Sequence, residues 1–211
     1  MKIIDCIQGS PEWFEAHRGI PTASNFDRIL TAKTMKLSAQ ADKFIAELIG
    51  QIFTIGSIEP KGYISRPMQD GILMEPEARR WYEFERNCEV RQVGMCLTDD
   101  GHFGASPDAL VGEDGALELK CPLAATHVQY LLDGVLPSEY AAQVHGELIV
   151  TGREYVDFVS YCPGLPGFIV RQTPNAYTES LRKALDEFWT RYQVTLAKVR
   201  GIGSALAVEA K

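Results

Sequence analysis

Two carboxylates and a lysine lie within thirteen residues near the middle of the chain: Asp108, Glu118 and Lys120. Asp108 ends the tripeptide Ser106-Pro107-Asp108, and the other two belong to the run Leu-Glu-Leu-Lys-Cys-Pro at 117–122. Carboxylate oxygens bind hard divalent cations, and an ammonium group can orient or deprotonate water and offset the charge that develops on a phosphate. This combination of groups fits metal-dependent hydrolysis of a phosphodiester.

The segment that carries these groups predicts a β-hairpin. Gly-Glu-Asp-Gly at 112–115 is a typical turn sequence, and it separates an apolar run from a second strand. Successive strand side chains point to opposite faces, so we expect Glu118 and Lys120 to share one face, with the two leucines of that strand on the other. Asp108, at the end of the preceding segment, can reach the side of Glu118.

The remaining pattern predicts one α/β domain around a mixed sheet, over about residues 1–200, followed by a flexible, frayed tail at 201–211. Residues 31–40 and 54–67 are expected to be loops. Apolar periodicity and capping residues predict helices at Pro11 to about Gly19, from Thr22 or Ser24 through Leu30, and at Gln40–Gln51, Met68–Asn87, Thr126–Leu132, Pro137–Val150 and about Ala176–Val199. Strands are expected at Glu89–Leu97, Gly101–Ala105, Ala116–Lys120, Tyr155–Tyr161 and Phe168–Gln172.

Two predicted helices carry polar residues that could serve the same chemistry. Glu75 lies among apolar neighbours early in its helix, where a carboxylate is costly unless it is paired or metal-bound. The simpler interpretation, which the local sequence favours, is a surface pair with Arg79 one turn later. On the other helix, Gln143 and Glu147 lie together, one turn apart.

A polar corner near the N-terminus could bind phosphate. His17 and Arg18 precede a helix start at which Thr22 or Ser24 is the cap. Free backbone N–H groups at such a start, with hydroxyls beside them, form a common anion site. The alternative, which the local sequence favours, is an ordinary corner between two helices with solvated side chains.

Composition limits the class of protein. A chain of 211 residues with 45% apolar residues can bury a full core. It contains no apolar run of about 18 residues, so no membrane span is expected, and its first ten residues do not have the layout of a secretory signal. The five cysteines are scattered, without the spacing of zinc ligands, so we expect reduced thiols in a cytoplasmic protein.

The formal net charge of -7 argues by itself against a nucleic-acid partner, because phosphate binding usually requires a basic excess. Two arrangements would reconcile the charge with DNA. Basic patches could lie on an otherwise acidic body, or the acidic residues could be ligands of a cation.

The order of these motifs resembles one family closely. Glu75, Ser106-Pro107-Asp108 and the run at 117–122 resemble the core of PD-(D/E)xK nucleases. More narrowly, the chain resembles the phage lambda exonuclease and YqaJ-like viral recombinase family from about Ser10 to Gly152. The resemblance also includes Trp13 with Thr22-Ala23-Ser24, then Gly71 with Met74-Glu75 and Ala78, and finally 140–144 with 150–152. Each motif alone is weak, but their common order and separations make the resemblance specific.

The resemblance implies a restriction-endonuclease-like core, a central mixed β-sheet flanked by α-helices. It also implies a Mg²⁺-dependent exonuclease, with Mn²⁺ as a substitute, that degrades one strand of double-stranded DNA processively, 5′ to 3′. The products would be nucleoside 5′-monophosphates and a 3′ single strand for recombination. The expected assembly is a homotrimeric ring whose basic side chains line the channel, with an acidic exterior. The implied partners are duplex DNA with a 5′-phosphorylated end and a single-strand annealing recombinase, in a bacterial host, with a phage or prophage origin.

The family's roles transfer to individual residues of this chain. Asp108 and Glu118, with the Leu119 main-chain carbonyl, would hold one or two Mg²⁺ ions. Lys120 would be the catalytic lysine. The remaining roles are Glu75 as acidic ligand or water-positioner, Gln143 as orienter of the nucleophile or substrate, Ser24 and Thr22 in the 5′-phosphate pocket, and, more weakly, Met68 as the strand-separating wedge.

One departure from the family pattern concerns the 5′ phosphate. The family's phosphate-binding arginine aligns with His17, and Arg18 follows it. Either residue could take the role; we favour Arg18, because a guanidinium makes a two-pronged phosphate contact at any pH. Two other functions share the core motifs: an endonuclease, and an inactive DNA-binding module of a recombination complex.

Overall fold

The computed structural model describes residues 1–56 and 66–209, with side chains up to residue 56 and from 69 to 202. None of the helices in these ranges is both long and apolar enough to cross a bilayer. In chain order the elements are β1 (Lys2–Ile4), α1 (Pro11–Ala16), a 3₁₀ helix (Ala23–Arg28), β2 (Leu30–Thr31), β3 (Lys36–Leu37), α2 (Ala41–Phe53), α3 (Arg66–Arg86), β4 (Val90–Arg91), β5 (Met95–Leu97), β6 (Gly104–Ala105), β7 (Ala109–Val111), β8 (Gly115–Lys120), α4 (Ala124–Asp133), a second 3₁₀ helix (Ser138–Tyr140), α5 (Ala141–Thr151), β9 (Tyr155–Ser160), β10 (Phe168–Gln172) and α6 (Ala176–Glu209).

The central sheet has the strand order β10-β9-β8-β7-β4. Strands β8 and β9 are parallel, whereas the other neighbours are antiparallel, so the sheet is mixed, as the sequence predicts. Every residue of β8 except Lys120 is buried, because helices cover both faces of this strand. The α/β fold class is confirmed.

Alternation along β8 places its side chains on two separate cores. Leu117 and Leu119 pack against Ala78 and Tyr82 of α3. Ala116 belongs to the larger core on the opposite face, which contains residues of α2, α5 and α6. The face that carries Glu118 and Lys120 is therefore the face covered by α5.

The predicted strand at Glu89–Leu97 is wrong in one respect, because it is divided between two sheets. Strand β4 pairs with β7 in the central sheet, while β5 lies between β1 and β6 in a three-stranded sheet. Gly94, between them, lies so close to the carbonyl oxygens of Ile4 and Cys6 that no side chain would fit. This contact with the N-terminal strand, which the sequence pattern did not predict, causes the division.

Several helix limits also differ from expectation. The segment after Thr22 is a 3₁₀ helix of six residues, without a side-chain cap hydrogen bond, so it offers fewer free N–H groups than a full α-helix. The segment at 31–40 includes the short β2–β3 hairpin. Helix α6 continues to Glu209, ten residues beyond the expected end at Val199, so the expected tail is helical to that residue.

Candidate active site

Strand β7 begins opposite Leu117, so the last residues of β8 have no β7 partner on that side. Asp108, which precedes β7, lies beside them. The register of the hairpin pairs Ala109 with Leu117. Just beyond it, the Asp108 N–H donates to the Leu117 carbonyl at 3.0 Å, and the Leu119 N–H donates to Asp108 Oδ2 at 2.6 Å. The Asp108 carboxylate thus takes the hydrogen bond that another strand residue would have made.

The Leu119 carbonyl points to this same side. In a strand, the N–H and C=O of one residue point towards the same neighbour, and the Leu119 N–H points to Asp108. The Lys120 carbonyl is paired with the N–H of Tyr161, on the β9 side. A carboxylate and a main-chain carbonyl therefore lie together at the end of β7.

Glu118 is the centre of the polar cluster on the α5 side of the sheet. It is 2% exposed, and its Oε1 accepts hydrogen bonds from the Lys120 ammonium and, at 2.7 Å, from Gln143 Nε2. The Lys120 ammonium also lies 5.2 Å from the centre of the Tyr140 ring. The structure thus brings together Glu118 and Lys120 of β8 and Gln143 of α5, which the sequence analysis identified as separate candidates.

A further carboxyl lies behind this cluster. Glu147 is 1% exposed, and its Oε1 accepts a hydrogen bond from Gln143 Nε2 at 3.3 Å. Sequence reasoning noted its spacing from Gln143 but gave it no role. The sequence feature that could have indicated its burial is its position within residues 144–150, where every other residue except His145 is apolar or small.

The charges of the cluster perturb one another. Burial, and then the nearby Glu118 carboxylate, raise the pKa of Asp108 well above its ordinary value, and the pKa of Glu147 is raised by the same two causes. Burial opposes the charged form of Lys120, but the Glu118 and Asp108 carboxylates outweigh it and raise the lysine pKa. The lysine is therefore an ammonium ion, whereas Asp108 and Glu147 bind a proton more readily than exposed carboxyl groups do.

Two side chains from the N-terminal segment fix the tripeptide that ends at Asp108. Trp13 Nε1 donates to Ser106 Oγ at 3.0 Å and to the Gly94 carbonyl at 3.2 Å. Gln8 Nε2 donates to the carbonyls of Pro107 and Val93, both at 3.0 Å. Gln8 was not singled out from the sequence, because nothing local indicates that it contacts a segment a hundred residues away.

Glu75 lines a cavity of about 360 Å³ together with Asp108, Arg79 and Gln8. Burial raises its pKa, against the opposing charges of Arg79 and Lys120. In the side-chain amide orientation that satisfies both of its polar atoms, the Gln92 oxygen accepts hydrogen bonds from Arg79 Nη2 at 3.1 Å and from Arg79 Nη1 at 3.3 Å. Arg79 therefore contacts an amide rather than forming the expected surface pair, and Glu75 lies beside the metal-ligand candidates.

The N-terminal hydroxyl pair lies on another side of the site. Ser24 Oγ is 3.3 Å from Thr22 Oγ1, and Asn25 Nδ2 donates to Ser24 at 3.2 Å. Ser24 and Gln143 line the same cavity of about 170 Å³. The predicted phosphate pocket and the polar cluster around Glu118 are therefore adjacent.

Arg18 and His17, the two residues predicted to bind the 5′ phosphate, both contact other groups in the structure. Arg18 uses its five N–H donors on Glu15, at 2.6 and 2.7 Å, and on the carbonyls of Gln51, Thr54 and Gly56. These bonds join α1 to the end of α2, so a phosphate contact by Arg18 would require exchange of partners.

His17 faces a different constraint. Its Nδ1 lies 2.6 Å from the Trp13 carbonyl, which can only accept, so Nδ1 carries the proton. Burial lowers its pKa, so at neutral pH the ring is uncharged and its Nε2 is an acceptor. The predicted wedge, Met68, belongs to α3, but its side chain lies outside the described residues.

The oxygen donors at the end of β7 fit a Mg²⁺ site. This ion commonly binds one or two carboxylates and keeps several waters, and Asp108, Glu118 and the Leu119 carbonyl can hold it so. Among the residues whose side chains are described, no group of three His, Cys, Asp or Glu side chains is arranged to hold a metal ion by itself. A cation bound here would offset the burial and the Glu118 charge that raise the pKa of Asp108.

Known proteins resemble this chain in sequence and in fold. An alkaline exonuclease from Laribacter hongkongensis is 32% identical, with a TM-score of 0.81 over 93% of this chain and 100% of that protein, and its crystal structure in complex with dAMP matches equally. A phage-related exonuclease from Haemophilus somnus 129PT, 12% identical with a TM-score of 0.63 over 85% of this chain and 96% of that one, shares the fold. No curated protein matches significantly. Residues 12–154 match the model of the YqaJ-like viral recombinase domain, and the chain belongs to that family.

Proposed function

We propose that this protein is a Mg²⁺-dependent exonuclease that degrades one strand of duplex DNA from its 5′ end. The observation that carries the proposal is the position of Asp108, the Leu119 carbonyl and the Glu118–Lys120 pair at the end of one shortened strand. The 32% identity to an alkaline exonuclease, over nearly the whole of both chains, supports it. The crystal structure of that enzyme with dAMP, a nucleoside 5′-monophosphate, agrees with the proposed product.

The side chains have distinct roles in this reaction. When bound, Mg²⁺ lowers the pKa of water and stabilises negative charge on the phosphate and leaving oxygen. Asp108, Glu118 and the Leu119 carbonyl would hold it. Lys120, whose pKa is raised by the neighbouring carboxylates, acts as a fixed positive charge beside the phosphate rather than as a base.

The remaining candidates surround this centre. Glu75 lies in the cavity next to Asp108, where it orients water or completes the cation's ligands. Gln143 orients the nucleophile or the substrate. Ser24 receives the 5′ phosphate, since it lines a cavity together with Gln143, and Thr22 supports it from 3.3 Å away; Arg18 joins them only if it gives up its present partners.

The wider proposal concerns assembly and context. We place the protein as a homotrimeric ring around its DNA, in the cytoplasm of a bacterial host, with a single-strand annealing recombinase that takes up the exposed 3′ strand. In a ring, basic side chains are needed only along the channel, so the net charge of -7 is compatible with DNA binding. Light scattering of the purified protein tests the trimer directly.

Digestion of linear and closed circular duplexes tests the reaction. We expect the linear duplex to be consumed with Mg²⁺ and preserved with EDTA, while the closed circle stays intact. A label on the 5′-terminal nucleotide should be released as a mononucleotide, and a 3′ label should remain with the intact strand. Cutting of the circle would identify an endonuclease, and cutting of neither substrate would identify an inactive DNA-binding module.

A further inference from the structure

Glu147 is a buried carboxyl whose position packing does not explain. It is 1% exposed on helix α5, and its Oε2 has no hydrogen-bond partner. Burial of an unpaired polar oxygen is unfavourable, and a methionine would fill a similar volume without one. The polar interactions of its side chain that are described involve the residues of the proposed active site, chiefly Gln143 and the Glu118 carboxylate.

The two N–H groups of the Gln143 side chain are shared between two carboxyl groups. Nε2 donates to Glu118 Oε1 at 2.7 Å and to Glu147 Oε1 at 3.3 Å. An amide with both N–H groups so directed has its oxygen turned away from them. Because Gln143 also lines the cavity that contains Ser24 and Tyr140, its oxygen is the polar atom that remains for a group bound there.

We propose that Glu147 is a positioning residue: it anchors the amide nitrogen of Gln143 and thereby presents the amide oxygen to the substrate cavity. An amide oxygen only accepts hydrogen bonds, so it can orient the O–H of the attacking water. With Glu118 as its single anchor, the amide can rotate about its last bond and lose this orientation. The inference rests on the proposed nuclease function, because it assigns a cause to the role of Gln143 in that reaction.

Two other roles for Glu147 make different predictions. If it only fills space between α5 and the sheet, its replacement changes stability and not turnover. If it is itself a ligand of the cation, its replacement weakens metal binding whether or not Gln143 is present. The positioning role requires that Glu147 act through Gln143, and a double-mutant cycle measures this dependence.

The cycle uses Glu147→Met, Gln143→Ala and the double variant, assayed with Mg²⁺ on a linear duplex. We expect Glu147→Met to lower kcat about 10- to 100-fold, with KM unchanged, as is usual for groups that orient active-site ligands. In the Gln143→Ala background the same change should have no further effect. Glu147→Gln should restore most of the turnover, because its amide oxygen can accept the same hydrogen bond. The proposal would be overturned if the two single changes lowered kcat independently, so that their fold-losses multiplied in the double variant. A Glu147→Gln variant as slow as Glu147→Met would also overturn it.

Two further measurements separate this role from the alternatives. In the metal-free protein, the side-chain amide resonances of Gln143, identified by their absence in Gln143→Ala, should shift in Glu147→Met. This readout also tests positioning if the wild-type protein fails to cleave DNA, in which case the proposed function fails separately. Calorimetric titration with Mn²⁺ should give equal affinities for wild type and Glu147→Met; a weaker affinity would indicate direct ligation and overturn the proposal.

His145→Leu is the matched control for lost stability. His145 is a buried polar residue on the same helix, and its side chain bonds to Thr178 instead of the cluster. We expect its replacement to lower Tm and to leave kcat and KM of the folded protein unchanged. If Glu147→Met behaves in the same way as this control, the role of Glu147 is structural and the proposal fails.

Discussion

Asp108 Oδ2 accepts a hydrogen bond of 2.6 Å from the backbone N–H of Leu119. The bond fixes a carboxylate beside a strand whose own partner has ended, and it places that carboxylate next to the Leu119 carbonyl. The proposed cation site is therefore built mainly on backbone geometry, which is more rigid than two side chains on separate loops. This rigidity holds the Asp108 and Glu118 carboxyl groups close together before any cation binds.

Replacing Lys120 tests the charge at the reacting phosphate. Lys120→Ala should abolish hydrolysis while duplex binding, measured with Ca²⁺ in place of Mg²⁺, stays nearly intact, because one of many phosphate contacts is lost. The control is Lys183→Ala, which removes an exposed lysine of α6 and should leave cleavage at the wild-type rate. Residual Mg²⁺-dependent cleavage by Lys120→Ala would remove the lysine from the mechanism.

Replacing Asp108 tests the cation site. Asp108→Asn should eliminate cleavage and yet leave the metal-free protein as stable as wild type or more so, because it removes repulsion between Asp108 and Glu118. Mg²⁺ at 100 times its Kd should raise the Tm of the wild type by about 5–10 °C. The variant should show no such rise. A variant that still cleaves, or whose Tm still responds to Mg²⁺, would contradict the assignment.

Replacing Arg18 separates its structural bonds from a role in phosphate binding. Its contacts with Glu15 and with the end of α2 predict that Arg18→Ala lowers Tm. Rates on 5′-phosphorylated and 5′-hydroxyl ends should be compared for this variant, for His17→Ala and for Ser24→Ala. A preference for phosphate that is lost only in Arg18→Ala would show that Arg18 exchanges its partners for the DNA end, as the sequence led us to expect. Loss only in Ser24→Ala would assign the phosphate to the hydroxyl pair.

His145 predicts a loss of stability in mild acid. Burial lowers its pKa, so between the folded and unfolded pKa values the unfolded chain binds more protons, and stability rises with pH. The free energy of unfolding should therefore fall as the pH drops below about 6.5. Urea unfolding between pH 5 and pH 8 measures this slope, and His145→Gln should make it shallower. An unchanged slope in the variant would assign the effect to other groups, such as His17, whose pKa burial also lowers.

The local pattern alone predicted the hairpin well, because a turn sequence and a period of two leave one register. The same reasoning gave β10 at its observed limits and placed Glu118 and Lys120 on one face. It failed at Glu89–Leu97, where the pattern is continuous but the chain is divided between two sheets. That division depends on Gly94 meeting the backbone of residues 4 and 6, a contact between segments ninety residues apart in sequence.

By itself, the sequence determined which residues could do phosphate chemistry, because residue type and short spacing establish the donors and the face of a strand. Only the tertiary structure decided how they are used. In the folded chain, Gln143 donates to both Glu118 and Glu147. Arg18 is hydrogen-bonded to the end of α2, and Gln8 and Trp13 hold the segment that ends at Asp108. These outcomes depend on the packing of elements distant in the chain, and the partners of a buried polar group are set by that packing rather than by its neighbours in sequence.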